Sequence, residues 1–383
     1  MARTKIPPLK ERDIQGLKYL EAFLDILKPL GNVTAHGNRQ FHMIDHVSLL
    51  LLYFFNPVLT SLRSLQQATG LDNVQRVLGV RPTSLGAMSE SAGHVFDPEL
   101  MVPILQGVID RIPRPPQDPR LRKVPGDIRA VDGSFLRCLP KMVWAIFRKR
   151  SEKRGVRLHL QFDVQRGIPV RADITEALGS EKKALRKRIE PDVTFLTDRG
   201  FIDYRLYQAI HDAGAFFVSR LKDNSAFEAL RDRPLTEADR TVGVLLDQEV
   251  AMGSAVTQGQ LAAPVRRIVI RLEGREHDVI LLTNLLDVEA EILGLLYRFR
   301  WQVELFFRWF KCILGCTHWV SQTRSGLTLQ VYVALLASLL VSLWTGRKPT
   351  RRTFEMICLY FQGWATAEEL SAHLENLQQR ENA

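Results

Sequence analysis

The feature that organises the prediction is the stretch LLYRFRWQVELFFRWFKCIL at residues 295–314, which contains neither Pro nor Gly. At 100° per residue, Tyr297, Arg300, Glu304 and Lys311 share an arc of roughly 60°. The adjoining arc is apolar, as on a helix that packs against a core. The sequence therefore predicts one long amphipathic helix, with a carboxylate at the edge of its buried face and polar or basic groups on both sides.

The bulk composition indicates a folded protein with an acidic partner. The chain has 383 residues, of which 46% are hydrophobic and 25% charged, so it is long enough for two or three domains. Its formal net charge of +10 favours binding to a polyanion, either a nucleic acid or an anionic membrane surface. The four cysteines form no C-x-x-C pair and so give no sign of a zinc ribbon or a redox motif.

Two apolar runs, at residues 47–62 and 327–344, are candidates for membrane spans. The first is short and contains Asn56 and Pro57, and the second is interrupted by hydroxyl and amide side chains. We therefore expect both to be buried core helices. Residues 1–13 lack the apolar segment of a signal peptide, so the sequence predicts a cytoplasmic protein.

Both ends of the chain are predicted to be helical. Residues 1–115 contain short helical patterns separated by Gly and Pro. This pattern fits a helix-turn-helix DNA-binding domain or a plain helical bundle, and the spacing favours neither. Residues 326–383 are predicted to form a C-terminal helical region.

The central part of the chain has the pattern of an α/β domain with a mixed sheet. Residues 120–223 begin with strand-like runs, including a hairpin at 156–175, and then alternate between strands and helices. Residues 224–285 are predicted to be a β-rich insertion, with a hairpin turn at residues 273–275. Residues 286–325 then return to the domain with its final helix.

Three acidic residues stand where their side chains could converge. Asp132 follows one strand-like run, Asp198 follows another, and Glu304 projects from the long helix. Three crowded carboxylates repel one another unless a cation joins them, and hard oxygen ligands favour Mg²⁺ or Mn²⁺. Two such ions can activate water or a 3′-hydroxyl for attack on a phosphodiester.

Each acidic residue also has a plain structural interpretation. Asp132, before Gly and Ser, could stabilise a turn, and Asp198 could be an exposed strand end. Glu304 could form a helical ion pair with Arg300 or Arg308, each four residues away.

The polar spacing on the long helix resembles a known family signature. Tyr297-x₂-Arg300-x₃-Glu304-x₆-Lys311 is similar to the Y-(2)-R-(3)-E-(6)-K signature of bacterial insertion-sequence DDE transposases of the IS-four type. By this resemblance, Tyr297, Arg300 and Lys311 contact the transposon-end DNA near the scissile phosphate.

The segments VDGSFLR, at residues 131–137, and LTDRGF, at residues 196–201, are similar to the two Asp motifs of the same family. The resemblance implies an α/β, RNase H-like mixed sheet with a β-rich insertion, preceded by a helical end-binding domain and followed by C-terminal helices. It also implies that Asp132, Asp198 and Glu304 are the catalytic residues and together hold two Mg²⁺ or Mn²⁺ ions.

The implied partner is double-stranded DNA, both the inverted-repeat ends of an element and its target, with a dimer in the DNA complex and no membrane. The implied activity is metal-dependent cleavage followed by strand transfer. Two alternatives stay open: an RNase H-like nuclease without strand transfer, and a transposase-derived protein that binds DNA without cutting it.

Overall fold

The structure of the protein is a computed structural model that divides into two compact units. The sheet unit comprises Arg114–Leu136 and Gly155–Phe307, and the helical unit comprises Met1–Pro113, Arg137–Arg154 and Arg308–Ala383. The described residues are 18–31, 39–116, 118–148, 153–272, 277–314, 319–348 and 350–382.

The secondary structure is numbered in chain order over the described residues. The strands are β1 (Asp127–Arg137), β2 (Ile146–Arg148), β3 (Lys153–Asp163), β4 (Ile168–Glu176), β5 (Val193–Thr197), β6 (Phe216–Arg220), β7 (Phe227–Asp232), β8 (Val244–Met252), β9 (Val265–Ile270) and β10 (Val279–Thr283). The α-helices are α1 (Lys18–Gly31), α2 (Met43–Phe55), α3 (Leu62–Ala68), α4 (Asp72–Leu78), α5 (Leu85–Glu90), α6 (Met101–Arg111), α7 (Glu181–Arg186), α8 (Tyr204–Asp212), α9 (Glu237–Thr241), α10 (Ala290–Phe299), α11 (Trp301–Leu314), α12 (Arg324–Thr345), α13 (Arg351–Phe361) and α14 (Ala367–Asn382).

The apolar helix α12 runs through the interior of the helical unit. It begins where the Thr323 hydroxyl accepts a hydrogen bond from the Gly326 N–H, and it ends at Gly346, whose left-handed backbone suits a helix C-terminus. By length and composition alone α12 could cross a membrane, but 89% of its most apolar segment is buried inside the structure. Helix α2 is also almost wholly buried. Both apolar runs are thus core helices, as expected.

The sheet has the mixed topology that the sequence predicts. Strand β1 is parallel to β5, and β5 is parallel to β6. On the other side of β1 lies the antiparallel hairpin of β3 and β4. Three parallel strands beside an antiparallel hairpin, with helices α7 and α8 in the connections, form an RNase H-like arrangement. The predicted fold class is confirmed.

The hairpin of β3 and β4 turns where the sequence predicts it. The Asp163 carboxylate accepts hydrogen bonds from the backbone N–H groups of Gln165 and Arg166, which stabilises the turn. Gly167 has a φ of 70°, a conformation that glycine adopts without strain. Local turn chemistry therefore determines the register of this hairpin.

The β-rich insertion continues the central sheet. Its strands follow the order β10, β9, β8, β7, and β10 pairs antiparallel with β6. Strands β9 and β10 form the predicted second hairpin, but the expected turn at residues 273–275 lies outside the described residues.

The prediction of one uninterrupted helix over the stretch quoted first is wrong. Helices α10 and α11 meet at Arg300, which belongs to neither. The Arg300 N–H donates to the Tyr297 carbonyl, and the Val303 N–H donates to the Arg300 carbonyl. These bonds span three residues, so the turn is tighter than an α-helical turn. The sequence gives no sign of this break, because residues 295–314 contain no Pro or Gly and the apolar periodicity continues across Arg300.

A buried arginine of the insertion holds the chain that leads into α10. Arg266 is 2% exposed, and its guanidinium donates to both carboxylate oxygens of Asp247, at 3.1 and 2.5 Å. Its Nη1 also donates to the carbonyls of Leu285, Leu286 and Val288, at 2.9, 3.1 and 2.6 Å. The connection between β10 and α10 is therefore tied to strands β8 and β9.

We expect Arg266→Met to lower the free energy of unfolding by ~3–5 kcal/mol, because the buried Asp247 carboxylate then keeps only its longer contact with Arg233, at 3.7 Å. Urea-induced unfolding measures this loss. The double variant Arg266→Met/Asp247→Leu removes the stranded charge and should recover part of the stability. A single variant as stable as the wild-type protein would contradict this account.

Candidate active site

The register of two parallel strands brings Asp132 and Asp198 together. The last paired residues of β1 and β5 are Ala130 and Leu196. Two further residues along each strand place Asp132 opposite Asp198, which directly follows β5 in an extended conformation. Equivalent positions on neighbouring parallel strands point to the same face of a sheet. Both carboxylates therefore lie on one face of the sheet, Asp132 within β1 and Asp198 directly after the end of β5.

Each of these carboxylates is oriented by one backbone hydrogen bond. Asp132 Oδ1 accepts from the Gly133 N–H at 2.8 Å, and Asp198 Oδ1 accepts from the Gly200 N–H at 2.8 Å. The second bond also caps the short 3₁₀ turn Arg199–Phe201. The other oxygen of each carboxylate has no protein hydrogen-bond donor among the described residues.

The surroundings of Asp132 disfavour its charged form. The pKa of Asp132 is raised from 3.8 to about 6, chiefly by burial and to a smaller extent by the neighbouring carboxylates of Glu181 and Asp198. The Gly133 N–H and the Arg300 guanidinium act in the opposite direction on the same pKa. Asp132 is thus a desolvated carboxylate with acidic neighbours, and a bound cation would relieve the repulsion between them.

Glu181 is a fourth carboxylate at this edge that the sequence analysis missed. It lies in the first turn of α7, after the N-cap residue Ser180. Its Oε1 would be only 2.4 Å from a Cβ atom on Gly133, so the Glu181 side chain packs closely against the backbone next to Asp132. Arg157 Nη1 donates to the same oxygen at 2.5 Å. No local pattern marks Glu181, because its proximity to Asp132 depends on packing across the sheet.

Glu304 is held by an arginine from its own helical segment. Arg300 Nη2 donates to Glu304 Oε1 at 2.7 Å, so the structure contains the helical ion pair that the sequence left as an alternative. Burial disfavours the Arg300 cation, but Tyr297, Glu304 and Asp132 outweigh this effect and raise its pKa. Glu304 is therefore linked to Asp132 through the charge of Arg300.

Tyr297 lies beside this arginine, with the Arg300 guanidinium carbon 5.7 Å from its ring centroid. Burial raises the pKa of the Tyr297 hydroxyl, so it is a neutral hydrogen-bond donor at neutral pH. Lys311 is half-buried on α11, in the portion of that helix that belongs to the helical unit. In the sheet unit, the structure thus brings together five of the six predicted site residues, which are Asp132, Asp198, Tyr297, Arg300 and Glu304.

The oxygen ligands available here suit a hard divalent cation, although the three predicted ligands are not gathered around one point. In the part of the chain that the structure describes, no three His, Cys, Asp or Glu side chains are arranged to hold a metal ion. Glu304 is bonded to Arg300, whereas Asp132 and Asp198 are close enough to influence each other electrostatically. Two neighbouring carboxylates, each with one oxygen that accepts no hydrogen bond from the described residues, match the preference of Mg²⁺ or Mn²⁺ for oxygen ligands.

The raised pKa of Asp132 predicts a pH dependence of stability in metal-free protein. Between pH 3.8 and about 6, the folded state binds more protons than the unfolded state, so the free energy of unfolding falls as the pH rises through this window. Asp132→Asn should lack this fall and should be more stable at neutral pH, by up to ~3 kcal/mol. Urea unfolding in EDTA, at several pH values between about 4 and 7, tests this. Parallel stability curves for the two proteins would refute it.

The chain matches a family model and named relatives. A model described as a transposase DDE domain matches residues 124–340. A protein of Sinorhizobium fredii (strain NBRC 101917 / NGR234) that carries the name transposase y4zB is 28% identical over 235 residues, 61% of this chain and 63% of that protein. A Geobacillus stearothermophilus protein named as a transposase for insertion sequence element IS5377 is 25% identical over 247 residues, 63% of each chain. Each match spans less than two thirds of the relative's length.

A solved structure also aligns with the chain. The cryo-EM structure of the piggyBac transposase synaptic complex with hairpin DNA gives a TM-score of 0.41 at 12% identity, over 95% of this chain and 79% of that one. The family model, by contrast, covers more than half of this chain and includes Asp132, Asp198 and Glu304. The chain therefore belongs to the family of transposases with a DDE domain.

Proposed function

We propose that this chain is a DNA transposase of the IS-four type, which cleaves at the inverted-repeat ends of its element and joins those ends to target DNA. The observation that carries the proposal is the alignment of Asp132 with Asp198 on one face of an RNase H-like sheet, within the residues that the family model matches. Paired carboxylates beside buried basic groups suit chemistry on a phosphodiester.

Asp132, Asp198 and Glu304 are the residues that would hold two Mg²⁺ or Mn²⁺ ions. When bound, such ions lower the pKa of an attacking water or 3′-hydroxyl and stabilise the leaving oxygen. The Gly133 and Gly200 N–H groups fix one oxygen of each aspartate, so the opposite oxygens remain available as ligands.

Arg300 controls whether the Glu304 carboxylate is free to bind a metal ion. In the structure its guanidinium is bonded to Glu304. A DNA phosphate is a competing anionic partner, and Arg binds phosphate through two parallel hydrogen bonds. Phosphate binding to Arg300 would therefore release the Glu304 carboxylate at the moment when the substrate arrives.

Tyr297, Arg300 and Lys311 are proposed to contact the DNA end, as the Y-R-E-K spacing suggests. Tyr297 would donate its hydroxyl hydrogen bond to a phosphate, because burial raises its pKa and disfavours the phenolate. The same property makes Tyr297 a poor nucleophile, so no covalent protein–DNA intermediate is invoked. Lys311 would supply a point charge to a DNA phosphate.

The remaining segments are assigned to DNA handling. Residues 1–115 are proposed to bind the element end, supported by the exposed side chains of Arg63, Arg76 and Arg81 around the short helices α3 and α4. Two ends must be held for joining, so a dimer is proposed in the DNA complex. The excess of positive charge, +10 over the whole chain, suits a double-stranded DNA partner.

A second candidate function is DNA binding without cutting. The Arg300–Glu304 ion pair favours it, because a protein in which this pair never opens would lack its third carboxylate. An RNase H-like nuclease without strand transfer would have the same site and differ only in its products.

We expect Asp132→Asn, Asp198→Asn and Glu304→Gln each to reduce cleavage on the order of a thousandfold in Mg²⁺, because each removes a metal ligand. The substrate is a duplex made from the DNA that flanks the coding region. Affinity for this duplex in EDTA should be retained by the three variants, and Glu237→Gln, an exposed carboxylate on α9, is the matched control.

The products separate the candidates. Ends joined to target DNA support the transposase, cut ends alone indicate a nuclease, and uncut but bound duplex indicates the non-cutting protein. Cleavage that persists in all three variants would exclude the proposed catalytic residues.

Lys311→Ala should weaken binding to the same duplex and make the dependence of log Kd on log salt concentration less steep by about one, because one phosphate contact is lost. Titrations at several salt concentrations measure this slope. Lys187→Ala, an exposed lysine of the sheet unit, should leave the slope unchanged. Equal slopes for Lys311→Ala and the wild-type protein would count against a phosphate contact.

A further inference from the structure

A third side chain lies in the row that contains the two aspartates. Strands β5 and β6 are parallel, and their last paired residues are Thr197 and Ser219. The next position on each strand places Asp198 level with Arg220, the last residue of β6. Asp132, Asp198 and Arg220 therefore occupy equivalent positions on three neighbouring parallel strands.

This row lies on the face of the sheet opposite to α8. Val131, Phe195 and Phe217 pack in one core cluster with Tyr207 of α8, and the rings of Tyr207 and Phe217 are stacked at 4.4 Å. Successive side chains of a strand point to opposite faces. Asp132 follows Val131 by one residue, and Asp198 and Arg220 follow Phe195 and Phe217 by three, so the row points to the other face. Helix α10, which carries Tyr297, also packs on β6.

The positive charge of Arg220 affects the pKa of Tyr297. Burial raises the pKa of Tyr297, and the cations of Arg300 and Arg220 both oppose that rise. The positive charges of two guanidinium groups thus act on one tyrosine hydroxyl. Arg220 is half-buried, and it forms no ion pair with any residue that the structure describes, although Asp198 is its neighbour in the row.

We propose that Arg220 is a further DNA-contact residue, which binds a phosphate of the cleaved strand together with Tyr297 and Arg300. This inference rests on the proposed function. A half-buried guanidinium without a carboxylate partner retains its donors for an external anion, and the planar fork of Arg matches two phosphate oxygens. Its place in the row would put that phosphate next to Asp198, where cleavage is proposed.

Arg220→Gln should weaken binding to the flanking-DNA duplex about tenfold in EDTA and make the salt dependence of log Kd about 0.9 less steep, because one charged phosphate contact is lost. Arg220→Lys retains the charge and should keep the wild-type slope, with weaker affinity. Arg205→Gln is the matched control, because it removes the same charge from an exposed position on α8, on the opposite face of the sheet.

A shared phosphate also predicts coupling between the two side chains. Tyr297→Phe and Arg220→Gln should lower affinity by less in combination than the product of their separate effects, because both act on one group. Fully multiplicative effects would overturn the shared site. A slope for Arg220→Gln equal to that of Arg205→Gln would overturn the phosphate contact and indicate that Arg220 only balances the charge of the aspartates.

These measurements separate the inference from the function on which it rests. Binding is measured without metal, so a wild-type protein that binds the duplex but never cuts it contradicts the proposed function alone. If Arg220→Gln does not fold, judged by circular dichroism, Arg220→Lys decides the question. Unchanged affinity in that variant would overturn the contact, because Lys cannot reproduce the paired hydrogen bonds of Arg.

Discussion

The site depends on the parallel register of β1, β5 and β6. In a sheet, a shift of one residue moves a side chain to the opposite face. Asp132, Asp198 and Arg220 share a face because the parallel register aligns their positions on the three strands, and the cluster of Phe195 and Phe217 packs the other face. Apolar packing on one side therefore determines which polar groups meet on the other. The chemistry at the strand ends follows from the same interactions that fold the sheet.

Arg300 is the cation next to the carboxylates of Glu304 and Asp132. It lies at the tight turn between α10 and α11, where it faces Tyr297, donates to Glu304 and lowers the pKa of Asp132. A buried cation is stable only while it has anionic partners. Arg300 has such a partner in Glu304, and the proposed DNA phosphate would offer it a second one. The same residue, Arg300, thus forms both the tight turn between the two helices and the ion pair with Glu304.

Local patterns predicted only part of this site. Asp132 and Asp198 were predictable because each directly follows a strand-like run, and the ion pair of Arg300 was predictable from helical spacing. Glu181 and Arg220 were not, because their positions depend on strand register and on packing across the sheet. The α/β mixed sheet was predictable from the order of elements, and its RNase H-like form was implied by the family resemblance. The pairing of the insertion with β6 was not, since pairing between distant strands leaves no periodic pattern in the sequence.

The insertion has a positional role that follows from its pairing. Strand β10 pairs with β6 and places Leu281 beside Arg220, while Arg266 ties the following connection to Asp247. That connection leads directly into α10 and so to Tyr297. The insertion thus supports both β6, which carries Arg220, and α10, which carries Tyr297. Displacing it would move Arg220 and Tyr297 relative to the aspartates, even though the residues that hold it in place contact none of the proposed ligands.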